Sequence, residues 1–298
     1  VKMFRNSGAT LVFRTARVMG RRALFSKRHA DAGLTWCVKA IIGLTAVFLL
    51  LPVIITVVMS VDSRDYLGSF PPPSISMHWF DRFFHNAYLW PAFHTSLLLA
   101  IATTAVATAI GTLAALGISR MSPHLRDPIT TAFLAPLMLP GITIGFALVM
   151  VLSAVDVLPT FYKLLAGHLI VAVPYTIRMT LIGLSGISRT LREAALILGA
   201  NERQAFFTIT LPLAKNSIAA GAIFAFAFSM DDLTISLFLS DFNTYPLPVA
   251  LVSLMRSSFD LTLAAAAVFL MGLTIVILIM LDRVLGLDRV IGHGIYRA

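Results

Sequence analysis

Two adjacent carboxylates, Asp231 and Asp232, stand inside an otherwise apolar stretch running from Ser217 to Leu239. Moving one carboxylate into a bilayer costs at least about 2.5 kcal/mol on insertion scales, and two neighbours also repel each other. Such groups persist where they face a wet cavity, pair with a cation, or end a helix. Two readings of the pair follow. In one, Asp231 and Asp232, with Ser229 beside them, line a path or gate for a cationic solute. In the other, they end a helix near the outer membrane face, their oxygens satisfying local backbone amides. A second segment is polar and helix-forming, and it lies between two apolar stretches: Glu193-Ala194-Ala195, Gly199-Ala200, then Ile209-Thr210-Leu211-Pro212. Leu191, Ala194, Ala195 and Leu198 recur at helical spacing and make an apolar stripe. Gly199 suits a left-handed helix end, Asn201 can cap a second short helix, and Pro212 stops its continuation. Ala194 and Ala195 are small enough for a partner's backbone to come close. A helix lying on the membrane surface would need neither the glycine nor the Ile-x-Leu-Pro ending.

Hydrolytic and metal chemistry have no comparable support. The sequence lacks Gly-x-x-x-x-Gly-Lys-Ser/Thr, Gly-x-Ser-x-Gly and His-Glu-x-x-His, so no catalytic residue is expected. His78 and His85 are seven apart without further ligands, and Cys37 is the single cysteine, so no metal site and no disulfide are expected either. Any transport must then draw its energy from a partner or from an ion gradient.

The setting for these residues is a membrane. Hydrophobic residues make up 58% of the 298 and charged ones 12%, which excludes an ordinary soluble domain. Six stretches approach the roughly 20 apolar residues that cross a bilayer core: about Val38 to Val61, Ala92 to Ile118, Ile129 to Leu152, Leu164 to Ile187, Ser217 to Leu239 and Thr262 to Leu281. An all-α polytopic protein with six transmembrane helices is expected. The first 39 residues carry nine Lys or Arg, and Arg120, Arg126, Arg189, Arg192, Arg203, Lys215, Arg283, Arg289 and Arg297 fall on the same face. The opposite face has only Arg64, Arg82, Lys163 and Arg256. This bias places both termini and the 188–216 loop in the cytosol. The expected organisation is a basic cytosolic tail over 1–37, a transmembrane domain over 38–283 and a cytosolic tail over 284–298. The net charge of +9 thus reports topology and lipid contact, not nucleic acid. An organellar transit peptide is the rival reading of Lys2 to Arg28, but the span that follows is too long for a signal-peptide core.

The spans differ in polarity. Thr103, Thr104, Thr108, Gly111, Thr112 and Gly117 give the second a small, hydroxyl-bearing face that suits tight packing or a wet interface. Pro136, Pro140 and Gly141 interrupt the third, and a broken helix at membrane depth survives only where protein or a watery cavity satisfies the freed carbonyls. Pro136 to Gly145 is therefore a gate or hinge candidate. The last span is aliphatic and reads as scaffold. Between the first two, Phe70-Pro71-Pro72-Pro73 with Trp79, Phe80, Phe83 and Phe84 predicts a short amphipathic helix at the interface.

The segment from Leu191 to Pro212 resembles the EAA loop of the membrane subunits of ABC importers. From Pro71 to Arg283 the order of features is similar to the type I importer permeases of the MetI-like fold. Trp79-Phe80 precedes the second span, Ala114 to Arg120 ends it, Leu139-Pro140 falls in the third, and Phe228-Ser229-Met230-Asp231-Asp232 in the fifth. The last run is most similar to the spermidine/putrescine (PotC-like) branch. The resemblance implies a permease subunit of the bacterial inner membrane for a polyamine or other small organic cation. Related fifth spans occur in permeases for ferric iron, thiamine or aminophosphonates, which stay open as solutes. It further implies a second permease subunit, two cytosolic ATPase subunits that hold the ATP and Mg, and a periplasmic solute-binding protein. No cofactor is expected on this chain. Glu193 to Gly199 would form the coupling helix that docks into the ATPase. A secondary transporter would need ion-coupling sites and an internal repeat, and a non-transport scaffold leaves the carboxylates unexplained.

Overall fold

A computed structural model describes residues 7–154 and 158–285. The chain forms two units, one ending at Val58 and the other beginning at Met59. The first unit carries most of α1 (Ser7–Met59), so helix extends back into the expected basic tail. Its run from Gly33 is long and apolar enough to cross a membrane, with Leu44 and Phe48 among its exposed side chains.

In the second unit α2 (His78–Phe84) and α3 (Leu89–Ser119) are followed by α4 (Pro123–Leu134), a tighter turn at Ala135–Met138, and α5 (Gly141–Ser153). Next come α6 (Thr160–Ser185), α7 (Arg189–Ile197) and α8 (Glu202–Ala205). A wide turn at Phe206–Thr210 leads into α9 (Leu211–Asp231). The chain continues with α10 (Thr234–Leu239), α11 (Leu247–Ser257) and α12 (Thr262–Leu285). The six expected spans resolve unevenly. Gly33–Met59, Leu89–Ser119, Thr160–Ser185 and Glu202–Asp231 are full crossings by length and composition. The third expected span is the pair Pro123–Met138 and Gly141–Ser153, bent by 95° at the break. The sixth begins at Thr262 as expected, but its described apolar run, Thr262–Ile277, is shorter than the four full crossings. Residues 1–6 of the expected N-terminal tail and 286–298 of the C-terminal tail lie outside the described residues.

Pro212 does not stop the helix that precedes it, contrary to expectation. Leu211 donates its amide to the Phe206 carbonyl, and the widened turn takes in the proline, whose missing N–H would otherwise orphan a carbonyl. The fifth span therefore runs unbroken from Glu202 to Asp231.

The centre of the unit is the trio α3, α6 and α9, and small residues set its spacing. A Cβ on Gly111 would fall 1.8 Å from Thr176 Oγ1 and 3.1 Å from the Ile177 backbone nitrogen. On the other side of α6, a Cβ on Gly221 would lie 3.1 Å from Thr176 Cα. Thr176 uses the closeness by donating its hydroxyl to the Ala107 carbonyl across the helix pair at 2.8 Å. Ala107, Ala172 and Ala225 fill the same seam. Where lipid tails are as apolar as the side chains, packing of this kind is the main attraction between helices. The glycine and hydroxyl face of α3 is thus packed at Thr103 and Gly111, whereas Gly117 faces open space.

The expected short helix forms as α2. Trp79 and Phe83 of α2 are fully buried, and the Phe83 ring lies 5.3 Å from that of Phe269 on α12. Before α2, buried Asp62 accepts a bidentate contact from Arg64 Nε (3.1 and 3.0 Å), and this hydrogen-bonded guanidinium holds its carboxyl below the usual range. His78 and His85 sit with Asp65 and Asp81 respectively, and no metal-ligand group occurs among the described residues.

Gly111→Ala is expected to force α3 and α6 apart and break the Thr176 to Ala107 bond, lowering stability by about 1 to 3 kcal/mol. Thermal unfolding of the purified complex in detergent measures this, and an unchanged midpoint would show that the seam is loose.

Candidate functional site

The two broken spans meet. Helix α10 leaves the end of α9 and packs on α5 and α6, because three glycines clear its seat. A Cβ at Gly145 would fall 2.7 Å from the Phe238 ring, and one at Gly167 would fall 2.7 Å from both Ile235 and Leu239. Gly141, at the head of α5, lies against Thr234 at the head of α10. The break in the third span and the break in the fifth are therefore one structural feature.

At its centre the two carboxylates take different surroundings. Asp232 is the last residue tied to α9: its amide donates to the Phe228 carbonyl at 2.9 Å, and its ψ of 115° turns the chain out of the helix. Its Oδ2 accepts the Ser236 amide at 2.9 Å, closing the first turn of α10. Asp231 is exposed, and its side chain has no hydrogen bond or ion pair among the described residues. It opens onto a cavity of about 890 Å³. Phe224, Phe228 and Asp231 recur on one face of α9. Across from them Tyr175 of α6 stacks on Phe224 with centroids 5.3 Å apart, and Leu251 and Leu270 of α11 and α12 form the far wall. A carboxylate beside aromatic faces attracts organic cations by charge and by ring quadrupole together.

Behind Asp232 lies a polar network that no sequence pattern announced. His168 of α6 is fully buried. Its Nδ1 is 2.8 Å from Ser229 Oγ of α9, and its Nε2 is 3.0 Å from Ser236 Oγ of α10 and 3.6 Å from Asp232 Oδ2. Ser229 in turn donates to Thr103 Oγ1 of α3 at 3.4 Å. Ser229, expected on the path, is thus buried in the network and does not line the cavity. Pro136, Pro140 and Gly141 do not line it either; Pro140 is exposed and caps α5. The one available signal for His168 was its isolation, a lone imidazole amid Leu164 to Ile170. For Phe224 it was the spacing to Asp231.

The second candidate region is the α7 to α8 loop. Ser188 caps α7, and Gly199 ends it with φ of 91°. Ala200 donates to the Ala195 carbonyl and Gly199 to that of Leu196, both at 3.0 Å, the paired bonds of a glycine helix stop. Asn201 and Gln204 exchange side-chain to backbone bonds at 2.8 and 2.9 Å as a capping box for α8. Arg192 clasps Glu202 across the hinge with two bonds. Leu191 and Leu198 of the apolar stripe are exposed, Leu198 at 87%, and Ile197 beside them is 86% exposed. Glu193 and Ala194 are exposed beside them, while Ala195, Ala200, Ile209 and Leu211 are half-buried. A rigid loop presenting bare leucine and isoleucine is built to be covered.

Residues 107–286 match the family described as binding-protein-dependent transport system inner membrane component. The chain is 27% identical over 247 residues to the spermidine/putrescine transport system permease protein PotC of Shigella flexneri, covering 83% of this chain and 92% of that protein. It is 28% identical over 233 residues to the putrescine transport system permease protein PotI of Escherichia coli K12, covering 76% and 82%. Its fold is similar to a chain of a bacterial alginate ABC transporter solved in complex with an alginate pentasaccharide-bound periplasmic protein. There the TM-score is 0.66 at 17% identity, over 85% of this chain and 95% of that one.

Asp232→Ala removes the acceptor of the Ser236 amide and should lower stability by about 1 to 3 kcal/mol, whereas Asp232→Asn keeps an oxygen there and should lower it less. Thermal midpoints of the two variants decide; equal losses would mean that the charge, not the cap, holds the break.

Proposed function

The chain belongs to the binding-protein-dependent transport system inner membrane components, and on that premise we propose that it forms half of the path of an ABC importer for a polyamine or similar small organic cation. A permease of this kind is a conduit and not an enzyme. The observation that carries the cation reading is Asp231, exposed and unpaired on a wall with Tyr175, Phe224 and Phe228. One charge pair at about 4 Å with an effective dielectric near 20 is worth about 4 kcal/mol before desolvation is subtracted. Each aromatic face adds about 0.5 to 2 kcal/mol. A solute with several amines separated by methylenes can use both at once. Permeases for spermidine and putrescine among the relatives support the same class.

Energy enters from elsewhere. The mostly exposed stripe of α7, with Glu193, Ala194 and Ala195 on a glycine-stopped helix, is read as the coupling helix for a cytosolic ATPase subunit that carries ATP and Mg. The half-path needs a second permease subunit to close it, two ATPase subunits to drive it and a periplasmic binding protein to load it. This arrangement goes with both termini on the cytosolic side of the bacterial inner membrane, as the distribution of Lys and Arg requires.

Glu193→Lys is expected to leave assembly intact while uncoupling ATP hydrolysis from uptake, measured in proteoliposomes containing the co-expressed importer; uptake at the parent rate with unaltered ATPase activity would refute the coupling role. Asp231→Asn keeps shape and removes charge, so spermidine uptake should fall by about tenfold or more, the scale set by part of one charge pair. Parent-level uptake by that variant sinks the cation reading.

A further inference from the structure

The buried network behind Asp232 touches no solute, yet it joins the two sides of the α9 to α10 break. We propose that His168 is a positioning residue for transport: through Nε2 it pins α10 at one angle to α9, so that Asp232 stays turned onto Ser236 while Asp231 faces the cavity. The inference rests on the reading of Asp231 as the cation-facing group.

The geometry makes the argument. Asp231 and Asp232 are neighbours that both border the cavity, and the backbone turn at Asp232 decides that Asp232 also closes α10 while Asp231 is left without a hydrogen-bond partner. That turn is one residue pair long and has no proline. It is fixed instead by what holds the two helices on either side, and among the described residues the one side chain that hydrogen-bonds both is His168. Nδ1 takes Ser229, two residues before the break, and Nε2 takes Ser236, two residues into α10. Glycine clearance at Gly145 and Gly167 lets α10 approach but does not set its rotation, because contacts to Phe238, Ile235 and Leu239 are apolar and non-directional. Hydrogen bonds are directional, and in a dry interior a lost partner cannot be replaced by water. The Nδ1 side matters less to the angle, because α9 is already packed on α6 through Ala172 and Ala225 and Ser229 is also tied to Thr103 on α3.

A packing role and a positioning role predict different things. If His168 only fills space, a leucine of similar size should serve as well, since buried polar groups are commonly replaceable by apolar ones. If its Nε2 bond orients the carboxylates, then glutamine, whose amide reaches the Nε2 position, should preserve function, and asparagine, which reaches only the Nδ1 position, should not.

The test uses the complete importer, co-expressed and reconstituted, with spermidine as the probe and Asp231→Asn measured alongside. His168→Asn is expected to raise the KM for spermidine uptake about tenfold with Vmax within about twofold, and His168→Gln to stay within about threefold of the parent KM. Because substitution of a buried histidine can compromise assembly, the two serines supply a milder pair: Ser236→Ala should raise KM as His168→Asn does, and Ser229→Ala should not. A structural readout independent of the solute accompanies them. In a Cys37→Ala background, the rate at which a cationic thiol reagent modifies Leu233→Cys should change about tenfold on adding His168→Asn and not on adding His168→Gln. Equal behaviour of the asparagine and glutamine variants, whether both intact or both impaired, overturns the proposal, as does parent-like KM in Ser236→Ala. Should Asp231→Asn transport normally while the His168 variants split as described, the cation reading fails and the positioning of the break stands. If Asp231→Asn is impaired and the His168 variants do not split, the positioning role alone is wrong.

Discussion

Backbone amides and carbonyls that leave a regular helix must find other partners, most strictly in a hydrocarbon interior, and this requirement shapes each place where the chain departs from regular helix. Four such places matter. At Phe206–Thr210 a widened turn absorbs the proline that follows. At Gly199 the paired glycine-stop bonds satisfy the last carbonyls of α7. At Pro140 the α5 amides of Thr143 and Ile144 return to the proline carbonyl. At Asp232 a carboxylate takes the amide of Ser236 that α9 can no longer serve. The two breaks inside the membrane region are adjacent for the same reason. A short helix such as α10 has a high proportion of unsatisfied ends, so it needs close neighbours, and α5 is itself the far half of a broken helix with one face free to receive it.

Close approach is the second half of that economy. Gly141, Gly145 and Gly167 clear the seat of α10, while Gly111, Gly183 and Gly221 let α3, α6 and α9 run nearly backbone to backbone. Hydroxyls then bridge the gaps that glycine opens, as Thr176 does toward Ala107 and Ser229 toward Thr103. The result is a firm trio with the broken pair laid against it.

Much of this was legible in the sequence because it depends on local chemistry. Runs of apolar residues marked α3, α6 and the start of α12, and Pro136 to Gly141 marked the broken third span. Asn201 and Gly199 marked the caps of the loop. What escaped depends on tertiary context. Aromatic residues of α2 suit an interface and a core equally, and only the presence of Phe269 opposite decides that Trp79 and Phe83 go inside. Helix α11 is too short for a span and too apolar for a loop. Pro212 is a helix breaker by local rules, overruled by a turn that only the continued apolar face of α9 makes worthwhile. The role of His168 was invisible because its partners lie 61 and 68 residues away.

The division of labour between Asp231 and Asp232 follows from these constraints. One sequence reading treated both carboxylates as path and the other treated both as helix end; in the structure Asp232 stands at the helix end and accepts the Ser236 amide. Two adjacent carboxylates in a bilayer repel, and the repulsion is least when their side chains diverge. A helix would separate them by about 100° and leave both near the same cavity. Ending the helix between them lets Asp232 accept the Ser236 amide of α10 while it still borders the cavity, and leaves Asp231 without a hydrogen-bond partner beside the aromatic wall. An amide that donates to a carboxylate stabilises its charge without removing it, so Asp231 and Asp232 remain the two charged groups on an otherwise uncharged cavity wall.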